Sequence, residues 1–391
     1  MIDNGGLLES VIEHAAQLDE VDYDDIAPSV AALTGSGDLG LVPLLSEALG
    51  RFLDEENFYG RDLIAGVLAG VAGIAALPVL LLAADRDLGD DQDGLQSEIT
   101  AVLGADPVAG RELILELVRS DAPERRRVGL LALGLVVEAG DVGLLETAAG
   151  HPDPDVRLMA VEAVVDPAGD DRAFAVLVAT SADPDEQVRM ASISRLGASG
   201  RLEAAAPLAR AITDPRYRVR ARTAYALGRL GSATGTPALL RLLQDDDDRV
   251  RDQARDALGA VGGSAAVDAL LAEAAGQDPR LRAQAGKALA RAVDSDPRVD
   301  SQLMLLAQDP EATVRSATLS GLATVADRSA RWSALAGTLA NDPDATVRQR
   351  VAVLAHLLAP DDVDTILHRL ADDPEATVRQ TAATQLSRPP R

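Results

Sequence analysis

Five carboxylates and three aromatic rings are crowded into two short stretches of the first third of the chain: Tyr23, Asp24 and Asp25 in EVDYDDI, and Glu55, Glu56, Phe58, Tyr59 and Asp62 in DEENFYGRD. Carboxylates steer the encounter with a basic partner, and aromatic side chains anchor it once it arrives. The pattern therefore predicts a docking surface for a basic protein. A plainer reading of the same residues is an end cap whose rings fill a core and whose acids keep it soluble. Charge distribution supports either use, since residues 1–120 hold 23 Asp+Glu against 5 Arg, a net of -18 out of -25 for all 391 residues.

Other chemistry is sparse. Cysteine is absent, which removes disulfides, thiolate metal sites and cysteine nucleophiles. His14, His151, His356 and His368 form no compact ligand motif, and no phosphate-binding glycine loop is present, so neither a metal nor a cofactor is expected. Gly134, Gly197, Gly228 and Gly259 follow apolar helical runs and are expected to terminate helices. Phe174, Tyr217, Tyr225 and Trp332 are expected to pack. The net charge opposes nucleic-acid binding. One basic run, RYRVRAR from Arg216 to Arg222, is expected to be neutralised by the following Asp245–Asp248, with Arg216, Arg218 and Arg222 reaching across to it.

What positions these residues is a repeat. A Val-Arg pair recurs with its arginine at 157, 189, 220, 251, 282, 315, 348 and 379, the valine being replaced once, by Leu281. A period of 31–33 residues signals a solenoid, in which each unit buries its open sides on its neighbours. In the unit from Thr213 to Gln244, Asp214 is expected to cap a first helix with Pro215 in its first turn, and Val219, Thr223, Ala226, Leu227 and Leu230 share one face. Pro237 then opens a short second helix bearing Leu239, Leu240, Leu242 and Leu243. The valine of each pair must be buried.

An aspartate precedes most of these arginines by six residues, as in Asp214 and Arg220 or Asp342 and Arg348, a spacing that does not share a helix face. The Arg of one hairpin is expected to meet the Asp of the next, building a charge-assisted ladder along the stack. Asp153 to Arg157 and Asp278 to Arg282 are only four apart, and there the ladder is expected to be distorted or the first turn lost.

Upstream the repeat aligns through Arg127 and Gln96, and ENFYGRDLIAGVLAGV reads as another first helix. The chain is thus predicted to be an all-α, right-handed α-solenoid of about ten or eleven hairpins. Its acidic, irregular part spans 1–120 and its regular array 121–391, continuous with the first. Ile64–Ala84 is apolar enough to raise a membrane span, but Gly66, Gly70, Gly73 and Pro78 favour helix, turn, helix. No basic leader precedes an apolar run. A cytoplasmic monomer without membrane contact is expected.

The pattern D-P-x-x-x-V-R, as in DPEATVR from Asp309, and the run RDQARDAL from Arg251 resemble the HEAT-repeat family, and the short period resembles its phycobilin-lyase-type form. The resemblance runs from about 153 to 387. It implies first helices on the convex side, second helices on the concave side, and an inter-repeat polar ladder matched by Asp214 with Arg220 and Asp342 with Arg348; Asp278 with Arg282 departs from it. Such architecture serves several functions. A non-catalytic protein-binding scaffold is the leading expectation, and an enzyme with a concave pocket, lyase-like or DNA-glycosylase-like, is the alternative.

Overall fold

A computed structural model of the chain describes residues 4–17, 23–86, 93–164, 169–293, 296–324 and 330–387. Among the described residues the chain forms 24 α-helices, short 3-10 turns and no strand. It divides into two compact units, Met1–Val165 and Asp166–Arg391. The charge boundary drawn at residue 120 lies inside the first of them.

The first unit contains α1 (Asn4–Ala15), α2 (Tyr23–Thr34), α3 (Val42–Asp54), α4 (Phe58–Ala72), α5 (Leu77–Ala84), α6 (Asp93–Ala105), α7 (Pro107–Val118), α8 (Pro123–Ala132), α9 (Val142–Ala149) and α10 (Pro154–Glu162). The second contains α11 (Asp171–Thr180), α12 (Glu186–Ala198), α13 (Ala205–Ala211), α14 (Tyr217–Leu230), α15 (Thr236–Leu242), α16 (Asp248–Val261), α17 (Ser264–Ala274), α18 (Pro279–Leu289), α19 (Pro297–Leu306), α20 (Ala312–Leu322), α21 (Ala330–Leu339), α22 (Ala345–Leu358), α23 (Val363–Ala371) and α24 (Ala376–Leu386). Even-numbered helices are the first of each hairpin and odd-numbered helices the second. Each first helix packs on the second helix before it, and most neighbouring first helices within a unit also pack together, as α14 does on α12 and α16.

The α14–α15 hairpin shows why these residues fold this way. Val219, Thr223, Ala224, Ala226 and Leu227 fall at helical spacing and are all buried. Gly231 ends α14 in the left-handed region, at φ 64°, where a side chain would be strained. Ser232 accepts the Thr234 amide and starts a 3-10 turn into α15, whose Ala238, Leu239 and Leu242 close the core. α13 and α15 are seven residues long, and helices shorter than about 12 residues are marginal by themselves, so packing holds them. The valines of the repeat, Val156, Val188, Val219, Val250, Val314, Val347 and Val378, are each 0% exposed, as the stack requires.

Phe58–Ala84 is long and apolar enough to cross a membrane by length and composition. Here it is divided by the 3-10 turn Gly73–Ala76, with Gly73 at φ 53°, into α4 and α5. Ile64, Leu68, Leu77 and Leu80 are fully buried in the core of the first unit.

Candidate functional site

In the first unit, Asn57 fixes the start of α4 by accepting the Gly60 amide at 2.8 Å, while its own amide nitrogen donates to the Ala15 carbonyl at 2.8 Å and ties α4 to α1. This brings Tyr59 onto His14, whose Nε2 lies 3.2 Å from the tyrosine hydroxyl. Burial, and then the nearby Tyr23 hydroxyl, push the Tyr59 phenol up from its ordinary value. Tyr23 and Tyr59 nonetheless remain 47% and 39% exposed, an aromatic pair open to solvent. Asp24 and Asp25 sit in the first turn of α2, and Glu55 and Glu56 in the turn entering α4; all four are exposed.

Two of the predicted site residues face other partners. Phe58 is half-buried with the Arg61 guanidinium 5.0 Å above its ring. Asp62 accepts from Arg61 Nε at 2.7 Å and crowds Gly94 of α6 so closely that a Cβ there would lie 2.3 Å from the carboxylate. Burial, then the Asp62 charge, push the neighbouring Glu98 carboxyl up. Nothing in the sequence pointed to His14 or Asn57, since His14 meets a residue 45 positions away.

The ladder is present in the second unit, with a consistent geometry. Arg189 reaches Asp214, Arg220 reaches Asp245, Arg282 reaches Asp309, Arg315 reaches Asp342 and Arg348 reaches Asp373, at 2.6–2.8 Å from Nε. Nη2 makes the second arm of each fork, and Nη1 turns back to the carbonyl six residues upstream, as from Arg220 to Asp214. In the first unit Arg127 bonds Asp153 in the same sense and also Asp85. The Arg220 hydrogen bond holds the Asp245 carboxyl below its ordinary value, and Asp245 holds Arg220 above its own.

The capping role assigned to Asp214 is overturned. Its Oδ1 accepts the Arg216 amide two residues on, forming a turn before the helix; α14 starts only at Tyr217, with Pro215 outside it. Asp183, Asp245, Asp309, Asp342 and Asp373 make the same turn. A turn of this kind uses one lone pair of the carboxylate and leaves the rest for the incoming guanidinium. The units with four-residue spacing explain themselves on this basis. Asp153 and Asp278 are true N-caps, bonding the Asp155 and Arg280 amides, and the position six before each arginine is His151 or Gly276. His151 Nδ1 accepts the Asp153 amide in the aspartate's place. Gly276 has nothing to offer, and Arg251 turns instead to Asp248 of its own helix.

Three further expectations change. Gly197, Gly228 and Gly259 are not terminators but lie inside the last turns of α12, α14 and α16, where a Cβ would be 2.6 Å from Ala226 Cα, 2.9 Å from Ala257 Cα and 2.2 Å from the Ala288 carbonyl oxygen. Each glycine meets an alanine 29 residues later, and this lets neighbouring first helices touch backbone to backbone. Gly134 lies in a 3-10 turn against Met159 Sδ. Of the RYRVRAR run, only Arg220 reaches the aspartate run; Arg216 faces Glu186 of the preceding hairpin at 3.7 Å, and Arg218 contacts the Tyr217 hydroxyl. Tyr225 was expected to pack and is 43% exposed. An open cleft between hairpins is lined by Asp214, Arg220, Arg241, Gln244, Asp245 and Asp246, without an aromatic ring.

A family model of HEAT repeats matches residues 110–197, 142–224 and 205–290. This stretch is built of HEAT repeats. The ladder and the buried valines recur up to α24, beyond the matched residues. No curated protein matches the chain in sequence. Among solved structures, Kap121p is 16% identical, covering 98% of this chain and 49% of its own, with a TM-score of 0.55. Kap121p bound to Nup53p has a TM-score of 0.54, at 16% identity over 98% and 48%. Importin β is 12% identical over 98% of this chain and 62% of its own, at 0.55. The chain thus spans about half to three-fifths of the length of these structures, and at such identity the likeness is one of fold: an α-solenoid of HEAT hairpins. A complex of CpcE and CpcF of phycocyanin lyase from Nostoc is 18% identical over 63% and 94%, with a TM-score of 0.37, too slight a likeness to carry an argument about activity.

Proposed function

We propose that this HEAT-repeat chain is a non-catalytic protein-binding scaffold, a cytoplasmic monomer whose acidic first unit docks a basic polypeptide. The observation that carries the reading is the juxtaposition of two solvent-open tyrosines, Tyr23 and Tyr59, with the exposed carboxylates of Asp24, Asp25, Glu55 and Glu56. Tyrosine supplies a large contact area at low entropy cost, and flanking carboxylates raise the encounter rate with a cationic partner. Phe58 and Asp62 flank this surface, both held by Arg61, with the Asp62 side chain 39% exposed. The fold is suited to the role, for a structure of the same architecture holds Kap121p with Nup53p.

The test uses the full chain and a lysine-rich peptide carrying one phenylalanine, followed by fluorescence anisotropy. Association should slow as salt rises, because exposed charges are screened beyond about 8 Å at physiological ionic strength. Tyr23→Ala with Tyr59→Ala should weaken binding by faster release, and Asp24→Asn, Asp25→Asn, Glu55→Gln and Glu56→Gln together by slower association. Wild-type binding by both folded variants would make this end a solubilising cap.

A further inference from the structure

Residues 187–244, which carry most of α12 and all of α13 to α15, contain ten arginines against two carboxylates, Glu203 and Asp214, in a chain of net charge -25. Several of these cations have structural work. Arg189 and Arg220 are rungs of the ladder, Arg201 lies 4.2 Å over the Phe174 ring and 2.8 Å from Asp171, and Arg216 faces Glu186.

What is left points outward along α14. Arg218, Arg222, Tyr225 and Arg229 follow one another at spacings of four, three and four, so they form one stripe, and all four are exposed. The stripe is about 16 Å long at the rise of an α-helix. No acidic residue occurs anywhere in α14. Its neighbour on one side, α12, presents Gln187, Ala191, Ser194 and Ala198 at the corresponding positions, one repeat earlier and without charge, and its single carboxylate, Glu186, lies at the head of the stripe by Arg216 and Arg218. On the other side, α16 brings Asp252 and Asp256, but Asp252 is bonded to the buried Arg255 and Asp256 lies 3.8 Å from Lys287. At the head of the stripe Arg249 of the next hairpin lies 4.1 Å over the Tyr217 ring and donates to its hydroxyl at 2.9 Å, while its own charge is met by Asp247 at 3.3 Å, so the free cationic surface ends at α14.

We propose that the outer face of α14 is a second docking surface, separate from the acidic one, and that it takes a short acidic polypeptide segment. Carboxylates of the segment would be held in the forks of Arg218, Arg222 and Arg229, a geometry that guanidinium matches in bidentate fashion, and an apolar side chain would cover Tyr225. The length of the occupant follows from the surroundings. Asp245–Asp248 bound the patch at the start of α16, so a long polyanion such as a nucleic acid would run from arginines onto carboxylates, whereas three helical turns of peptide end within the stripe. Screening over about 8 Å lets this local field act despite the negative charge of the whole. With the acidic first unit, the chain would then bring together one basic and one acidic partner.

The probe is a fluorescent peptide of about 11 residues, about three turns, with glutamates spaced three and four apart and a single leucine, titrated with the full-length chain. Binding should weaken about tenfold or more between about 50 and about 300 mM NaCl. Arg222→Glu with Arg229→Glu should weaken it at least about tenfold at low salt, as removal of charge-assisted anchors does. The exposed Arg291→Glu should leave it unchanged, and both proteins should melt as wild type. Tyr225→Ala should lose affinity for the leucine-bearing peptide and not for its alanine counterpart. The assignment fails if the peptide does not bind, or if the double charge reversal binds as wild type. It fails equally if a single-stranded oligonucleotide of equal charge binds more tightly than the peptide, which would give the surface to nucleic acid.

Discussion

Arg315 grips Asp342 of the following hairpin with both arms of its guanidinium, Nε to Oδ2 and Nη2 to Oδ1, each at 2.7 Å, while Nη1 donates at 2.7 Å to the carbonyl of Asp309 in its own hairpin. The two side chains are only 10% and 4% exposed. One cation thereby fastens the turn that precedes its own helix and the turn that precedes the next.

Removing that cation leaves a buried carboxylate without its counter-charge. Arg315→Ala is expected to destabilise the second unit by about 3–5 kcal/mol. Arg220→Ala, in a more open pair at 17% and 8% exposure, should cost about 1–3 kcal/mol. Urea melts rank the two. Unchanged melts would show that the arginines serve something other than the stack.

Acid should find the ladder. The Arg348 hydrogen bond holds Asp373 below its ordinary value, as the Arg220 bond does for Asp245. A carboxyl depressed in the folded state stabilises fully above the unfolded value, about 3.9, and that stability is lost as pH falls through the folded value. Arg348→Gln should therefore be weaker than wild type at neutral pH, and the gap should narrow progressively below about pH 4. Parallel melts across that range check the sign.

Gly259 and Gly50 should respond oppositely to alanine. A Cβ at 259 would lie 2.2 Å from a backbone oxygen of α18, which cannot swing aside, so Gly259→Ala should cost about 1–3 kcal/mol. Gly50 lies within α3 with nothing inside 4 Å of its added Cβ, and Gly50→Ala should gain about 0.5–1 kcal/mol. Melting temperatures of the two single variants decide it.

The ladder's gap can be filled. Gly276 occupies the aspartate's position in its turn, its amide bonded to the Glu273 carbonyl as Asp245's is to Leu242. Gly276→Asp should offer Arg251 a carboxylate of the next hairpin in place of Asp248 of its own helix, and stabilise by about 0.5–1.5 kcal/mol. Amide exchange in α18 should slow in this variant, and the gain should vanish when Arg251→Ala is added.

Period, hairpin, buried valine and the sense of the ladder are legible in the sequence because each repeats, and a repeated residue must do the same work in every unit. Asp214 with Asp245 and Arg189 with Arg220 differ by one period, so one unit reads for all. The single events are another matter. Asp278 is a cap and Asp214 a turn former because each helix starts three residues before its arginine, a start that puts an aspartate four back at the cap and one six back in the turn before it. Gly228 looks like a terminator until Ala257 of the next helix is set against it. Tyr59 meets His14, and Arg216 chooses Glu186 over the aspartate run, only when helices far apart in the chain are packed. Residue types and spacing along a helix determine its buried stripe, but which charges and rings remain in solvent depends on the neighbour's side chains. Only the tertiary structure places those.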